Sequence, residues 1–397
     1  MTPRDIAIVS DNPILLHGFC RSLFAFWVSQ GVRLHFFFPS LPGDWDRRPF
    51  LNLGQIKTVY DWNPEAYVDQ PKQARRSFQY ALAKKSCDLV LSFGWQANEI
   101  MGRNPVAESM PWIAQVCGRE GFPSFRGIKG RMAANRFRKA YQAANQVICF
   151  NREDALLMDR HRLVERDRMK IVPGAGIECL DDLPAERIPN GQIVFLMAGR
   201  LCPEKGVREY AEAAHRLRSR FPDAIFQLQG PIEVPKCKPL EVLNRWDQHQ
   251  SLQYLNPNAD HRSAIQQADV FVFPSYNGEG MPESLLEALA QGKPLITTDH
   301  PGCKDTVDVD QNGKLIPVKD VEALTAAMAQ LMNIGSAARK RMSAHSRRKA
   351  QEEFSTVKVV SVYQQILNGF PQRESSTDNQ LSGNIARSGN LQTGLQV

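Results

Sequence analysis

The sequence predicts an α/β protein made of two parallel-sheet halves, and three observations carry that expectation. At 397 residues the chain exceeds what one ordinary hydrophobic core organises and suits two domains. Short apolar runs alternate with amphipathic helical runs, the mark of β-α-β units whose strands are covered on both faces. These runs fall into two series, parted by a stretch rich in Gly, Pro and acids with no periodicity. In the first series, "DIAIVS", "VRLHFFF", "CDLVLSF", "WIAQVCG" and "QVICFN" read as strands; in the second, "GQIVFLMAG", "AIFQLQG", "LQYLN", "DVFVFPS" and "KPLITTD" do so. Among the helical patterns are "VREYAEAAHRLRSRF" and "PESLLEALAQG". The expected division is a first Rossmann-like domain over 1–172, a linker over 173–191, a second Rossmann-like domain over 192–349 and a final helix over 350–370. The tail 371–397 is polar, with too little apolar surface to offset the entropy of ordering, and is expected to be disordered.

Composition excludes several classes. With 43% hydrophobic and 23% charged residues the chain reads as globular, and no run approaches the ~18 apolar residues of a membrane span. Its N-terminus lacks the long apolar region of a secretory signal, so a cytoplasmic location is expected. Eight cysteines are scattered without a C-x-x-C pair; they read as reduced thiols, and no structural metal or cofactor is expected. Residues 121–170 hold twelve Lys/Arg against five Asp/Glu, an excess equal to the net +7 of the whole chain. Such a segment is a solvated face, a surface for an anionic membrane or a site for a phosphate-bearing substrate. No zinc-finger, helix-turn-helix or RNA-recognition pattern accompanies it, so nucleic acid is not an expected partner.

Two motifs are decoys. "GAGIEC" begins like a dinucleotide fingerprint, but Cys179 stands where the third glycine belongs and no helical pattern follows. "DVD" (308–310) resembles a metal-binding D-x-D yet sits in the turn-like "DVDQNG".

The chemistry concentrates in two segments of the second half. "FLMAGRLCPEKG" ends a strand at Gly199, passes Arg200 and Lys205, and enters a helix after Gly206. Two cations at the carboxyl end of a parallel strand, beside a helix N-terminus, are placed to hold a diphosphate. In "FVFPSYNGEGMPESLLEALAQG" a strand leads to a loop bearing Glu279, and Pro282 suits a first helical turn. Free amides from about Gly280 to Ser284 would face the same crevice, with Gly280 admitting a ligand close to the backbone and Met281 and Pro282 among the expected substrate-binding positions. Glu287 lies about 7 Å further along the helix at ~1.5 Å per residue, so Glu279 and Glu287 reach different depths and suit two hydroxyl-bearing parts of one ligand. Glu283, in the first turn, suits a cap on the helix dipole. Standing alone, each of these residues would be an ordinary surface charge.

The string "GRLCPEKG", the E-x7-E of Glu279 and Glu287, "EALAQGKPLITTDHPGCKDTV" and "NGKLIPVKD" together resemble the retaining glycosyltransferases of family 4, whose fold is GT-B. The resemblance is closest over 192–330. Within the family the chain is most similar to bacterial enzymes that add N-acetylhexosamines to lipid-linked or surface-polysaccharide intermediates. It implies that Arg200 and Lys205 bind the diphosphate of a nucleotide-sugar donor, with UDP the expected nucleotide. It further implies that Glu287 binds the ribose, that Glu279 and the amides after it meet the donor sugar, and that a last helix at 350–368 crosses back to the first domain. Gly18, Gly118, Arg119, Gly199 and Gly230 are the other expected substrate-binding positions, and no metal takes part. Two departures stand out. "WIAQVCGREGF" places Cys117, Gly118 and Arg119 where many members carry a histidine, and "SYNGEG" has one residue more than the common loop. A non-catalytic nucleotide-sugar-binding subunit and a sugar-nucleotide epimerase share the architecture; the E-x7-E spacing with "EKG" argues against the epimerase.

Overall fold

The computed structural model describes residues 4–10, 13–38, 50, 87–103, 110–118, 125, 127–179, 192–232, 252–257 and 259–370. Its strands form two six-stranded sheets, parallel throughout. In the first, β1 (Asp5–Ser10), β2 (Arg33–Phe37), β3 (Leu89–Phe93), β4 (Trp112–Val116), β5 (Gln146–Cys149) and β6 (Met169–Ile171) are ordered β2-β1-β3-β4-β5-β6. In the second, β7 (Val194–Ala198), β8 (Ile225–Gln229), β9 (Gln253–Tyr254), β10 (Val270–Phe273), β11 (Leu295–Thr298) and β12 (Gly313–Ile316) are ordered β12-β11-β10-β7-β8-β9. Every residue of β3, β4 and β7 is buried, as continuous apolar strands between two helical layers must be. The strand expectation holds for all ten runs named from the sequence, and the structure adds β6 and β12.

Helices α1 (Pro13–Ser29), α2 (Trp95–Gly102), α3 (Gly127–Gln142) and α4 (Arg152–Arg160) belong to the first sheet; α5 (Val207–Arg218), α6 (His261–Gln267), α7 (Glu283–Ala290), α8 (Val321–Asn333) and α9 (Gly335–Lys349) belong to the second. Each sheet separates two apolar clusters. The last helix, α10 (Thr356–Asn368), buries Val359, Tyr363, Ile366 and Leu367 in a first-sheet cluster, where Tyr363 meets Trp27 edge-on at 5.6 Å. The chain before it is seated by Ile177, whose N–H donates to the Phe354 carbonyl (2.8 Å) and whose carbonyl accepts from Thr356 (2.9 Å). Gly176 of "GAGIEC" makes this crossing possible: its φ is +85°, and a Cβ there would lie 2.7 Å from the Thr356 Cα. That glycine serves a chain crossing. The linker beyond 179 and the tail 371–397 lie outside the described residues.

Candidate active site

Site building starts at the carboxyl end of β7. Gly199 has φ +134°, and Gly230, at the end of β8 with φ +128°, packs so closely that a Cβ on it would lie 1.9 Å from the Gly199 carbonyl oxygen. Gly199 and Gly230 therefore close the strand ends on one another. The chain then passes Arg200 and a short 3-10 turn, Pro203–Lys205, and reverses at Gly206 with φ +80°. A Cβ on Gly206 would meet the Pro274 carbonyl oxygen at 2.3 Å, so the turn bearing Lys205 is pressed onto the loop after β10. The Tyr276 N–H donates to the Glu204 carbonyl (2.9 Å) and ties the same two segments. Lys205 is 8% exposed; its ammonium pairs with the Glu279 carboxylate and lies 5.1 Å from the Phe273 ring centroid. The sequence thus named two residues, 74 apart, that the fold joins directly.

Helix α7 begins at Glu283 with Pro282 just before it, in the N-cap position rather than within the first turn. Glu287, half-buried, is flanked by two groups from the start of α6: His261 Nε2 at 3.3 Å and Arg262 Nε at 3.7 Å. Neither was singled out in the sequence, although Asp260 before them is an ordinary N-cap signal. Glu283 stands in the first turn of α7, as a charge complementing the helix dipole should. Its side chain is exposed, yet partial desolvation by the neighbouring chain, with the Glu287 charge, pushes its pKa up to about 7. Burial pushes the Cys20 thiol of α1 well up, and the nearby Cys117 and Glu283 add to it. Gly18 lies in α1, two residues before Cys20. Burial also pushes Cys202, beside the Lys205 turn, up to about 11 and Cys303, near Glu279, up to about 12; neither supplies a thiolate nucleophile at neutral pH.

Glu279 is held from both domains. Gly118 forms an antiparallel bridge with it, and a Cβ on Gly118, whose φ is +111°, would lie 2.4 Å from the Gly278 carbonyl oxygen and the Gly280 nitrogen. Conversely, a Cβ on Gly280 would lie 2.4 Å from the Cys117 carbonyl carbon. The close approach that Gly280 permits is made by the opposite domain, where the sequence suggested a ligand. Asn151, at the N-cap of α4, donates Nδ2–H to the Gly280 carbonyl at 2.7 Å, and Lys304 pairs with Glu153 at 2.8 Å. On the other side, Gly302 has φ +79° and a Cβ there would lie 2.7 Å from the Glu279 and Gly280 carbonyl oxygens. Arg119 lies outside the described residues. The "DVD" motif is a turn whose acids are already engaged: Asp308 with His345 (2.7 Å) and Lys349 (3.0 Å), Asp310 with Lys314.

Two parallel six-stranded sheets thus meet at the Gly118–Glu279 bridge, with a cationic turn and an acid pair at the strand ends of the second. Residues 181–349 match the family described as "Glycosyl transferases group 1", and the chain carries a domain of that family. Over 316 residues it is 28% identical to the N,N'-diacetylbacillosaminyl-diphospho-undecaprenol alpha-1,3-N-acetylgalactosaminyltransferase of Campylobacter jejuni, covering 74% of this chain and 81% of that one. It is 27% identical to the UDP-Gal:alpha-D-GlcNAc-diphosphoundecaprenol alpha-1,3-galactosyltransferase of Escherichia coli; that match covers 56% of this chain and 59% of the relative. In fold it is similar to Anabaena HepE, solved in complex with UDP, with a TM-score of 0.73 at 14% identity over 92% of this chain and all of the other.

Proposed function

We propose that this chain is a retaining, metal-independent glycosyltransferase that moves a hexose or N-acetylhexosamine from a UDP donor to a lipid-diphosphate-linked acceptor in cell-surface glycan assembly. The observation that carries the reading is the junction of Lys205 and Glu279 at the strand ends, with Arg200 just before the Lys205 turn and Glu287 about one helical turn into α7. Breaking the sugar–phosphate bond builds negative charge on the departing diphosphate. Arg200, Lys205 and the amides at the start of α7 are the preorganised donors that would stabilise it. Glu287, oriented by His261 and Arg262, suits the ribose hydroxyls, and Glu279 the donor sugar. The departing phosphate oxygen would take the acceptor's proton, so no protein nucleophile is required. The undecaprenol-diphosphate substrates named for the two bacterial relatives support the acceptor class; the working site we propose is the cytoplasmic face of a membrane, with peripheral attachment.

A panel of UDP- and GDP-sugars tests the donor. The cognate one at 100 times its dissociation constant should stabilise the folded protein by ~2.7 kcal/mol. Transfer to a short-chain polyprenyl-diphosphate sugar, with the anomeric configuration read by NMR, tests acceptor and retention. Donor hydrolysis unaffected by any acceptor, or stabilisation by no nucleotide sugar, would reject the reading.

A further inference from the structure

The basic excess of residues 121–170 resolves, in three dimensions, into paired and unpaired parts. Glu99 takes Arg103 (3.1 Å) and Arg136 (2.9 Å), and Asp159 takes Arg166 (2.6 Å). With those acids engaged, no carboxylate among the described residues pairs with Arg131, Arg138, Arg160 or Arg162. These four arginines, two from α3 and two from the end of α4, surround one cavity of about 550 Å³ whose wall includes the Phe125 and His161 rings, 4.7 Å apart. Burial, and then the charge of Arg160, lower the His161 pKa, so the positive charge around the cavity belongs to the arginines.

One of the four cationic groups is also fixed in place. The Arg138 guanidinium donates to the carbonyls of Arg162 (2.8 Å) and His161 (3.1 Å) and to Asn135 Oδ1 (2.9 Å), three neutral acceptors that hold it without cancelling its charge. Arg162, just beyond α4 with φ +50°, is the left-handed residue that ends the helix, with the Leu163 N–H returning to the Met158 carbonyl at 2.9 Å. Beside the cavity stand apolar side chains that the fold leaves in water. Met132, on the cavity wall, is 69% exposed; Ile128, one turn earlier on α3, is 77% exposed; Leu156, one turn before Arg160 on α4, is 47% exposed. Uncompensated arginines next to unburied apolar tips complement an amphiphile with an anionic head.

We infer that the cavity between α3 and the end of α4 binds the phosphate of an anionic phospholipid headgroup, with Ile128, Met132 and Leu156 entering the acyl boundary. This rests on the reading of a lipid-linked acceptor and deepens it, because it specifies the surface by which the enzyme would sit on the bilayer. It differs from a general attraction of the 121–170 segment: Arg136, paired with Glu99 and lying over the Phe137 ring, is outside the site, whereas Arg160 and Arg162 are within it.

The test is sedimentation of the full chain with phosphatidylcholine vesicles, with and without phosphatidylglycerol, free of donor and acceptor. Wild type should partition to the phosphatidylglycerol vesicles only. At ~1 kcal/mol per basic residue, Arg131→Gln with Arg160→Gln should weaken that partition about 30-fold. Arg162→Gly removes a charge while relieving the left-handed strain, so it should weaken binding about fivefold on the same scale and raise Tm, a combination a purely structural arginine would not give. Arg136→Gln should leave partition unchanged. Equal binding to both vesicle types, or unchanged partition in the double variant, would overturn the site. Loss of soluble pyrophosphate binding in the double variant with vesicle partition intact would overturn the lipid as its ligand. Stabilisation by the cognate UDP-sugar is measured on the same variants; its absence in wild type would count against the donor reading and leave the vesicle result to stand on its own.

Discussion

Substituting Gly280 by Ala isolates the contact between the two domains. Gly280 does not require a positive φ, so alanine brings no backbone strain of its own, and the added Cβ meets only the opposite domain. It would lie 2.4 Å from the Cys117 carbonyl carbon, 2.5 Å from its oxygen and 2.9 Å from the Gly118 nitrogen, where ordinary contact begins at 3.4 Å. The two backbones must therefore part by about 1 Å. That displacement stretches the 2.7 Å hydrogen bond from Asn151 to the Gly280 carbonyl to about 3.7 Å, beyond useful range. It also pulls Glu279 away from its bridge with Gly118. A 1 Å misplacement of a positioning group costs about 10²-fold in rate, so kcat for sugar transfer should fall by about that factor. UDP stabilisation should be unchanged, because Arg200, Lys205 and Glu287 all belong to the second domain. The assay is steady-state transfer at saturating donor, with thermal unfolding in parallel. A kcat within about threefold of wild type would show that the closed contact of Cys117 with Gly280 is not the catalytic arrangement.

The other expectations follow from single groups. Arg200→Ala and Lys205→Ala should each lower turnover by ~10²-fold or more with the fold retained, and near-normal turnover in both would remove them from the diphosphate cradle. Because the Glu283 pKa is raised from 4.5 to about 7, the folded state holds more protons than the unfolded one between those values, so its contribution falls as pH rises through that window. Glu283→Gln should accordingly flatten the decline of Tm between pH 4.5 and 7 and raise Tm above it; an unchanged profile would mean that the carboxyl titrates normally. Activity should persist in EDTA. Complete loss restored by manganese would point back to Asp308 and Asp310, which would first have to leave Lys349 and Lys314.

What the sequence revealed was local. Strands covered on both faces leave near-continuous apolar runs, as in β3, β4 and β7, and all ten runs named from the sequence are strands. The two additions, β6 and β12, are edge strands of three and four residues. Lys170 and Lys314 interrupt their apolar runs, as suits an edge that must not pair further. The Lys205 turn was legible because Gly206 and the helix after it announce themselves within a few residues. Contacts between domains left no such trace. Asn151 reads as an N-cap three residues before Asp154, which it is, but its bond to Gly280 spans 129 positions and follows only from how the two domains meet. Gly118 and Gly280 read in the sequence as ligand-facing positions, and only the packed structure shows that they, like Gly302, give room to another backbone.

Those three glycines settle how Glu279 is held. Backbone from the loop after β4 presses on one side of the Glu279–Gly280 segment, and the turn at Gly302, after β11, presses on the other. Only the first contact comes from the other domain. If the domains part, Gly118 and Asn151 leave, while Gly302 and Lys205 remain attached to the segment, since all three lie on the second sheet's side of the cleft. The carboxylate would then stay paired with its lysine during opening, keeping a donor site assembled while the acceptor side is vacated. Closure adds the Gly118 bridge and the Asn151 bond, which fix the carboxylate against the first domain. On the proposed reading, a fold built this way would bind the donor with one half and complete the reacting geometry only when the other half arrives, which would keep water out until an acceptor is in place.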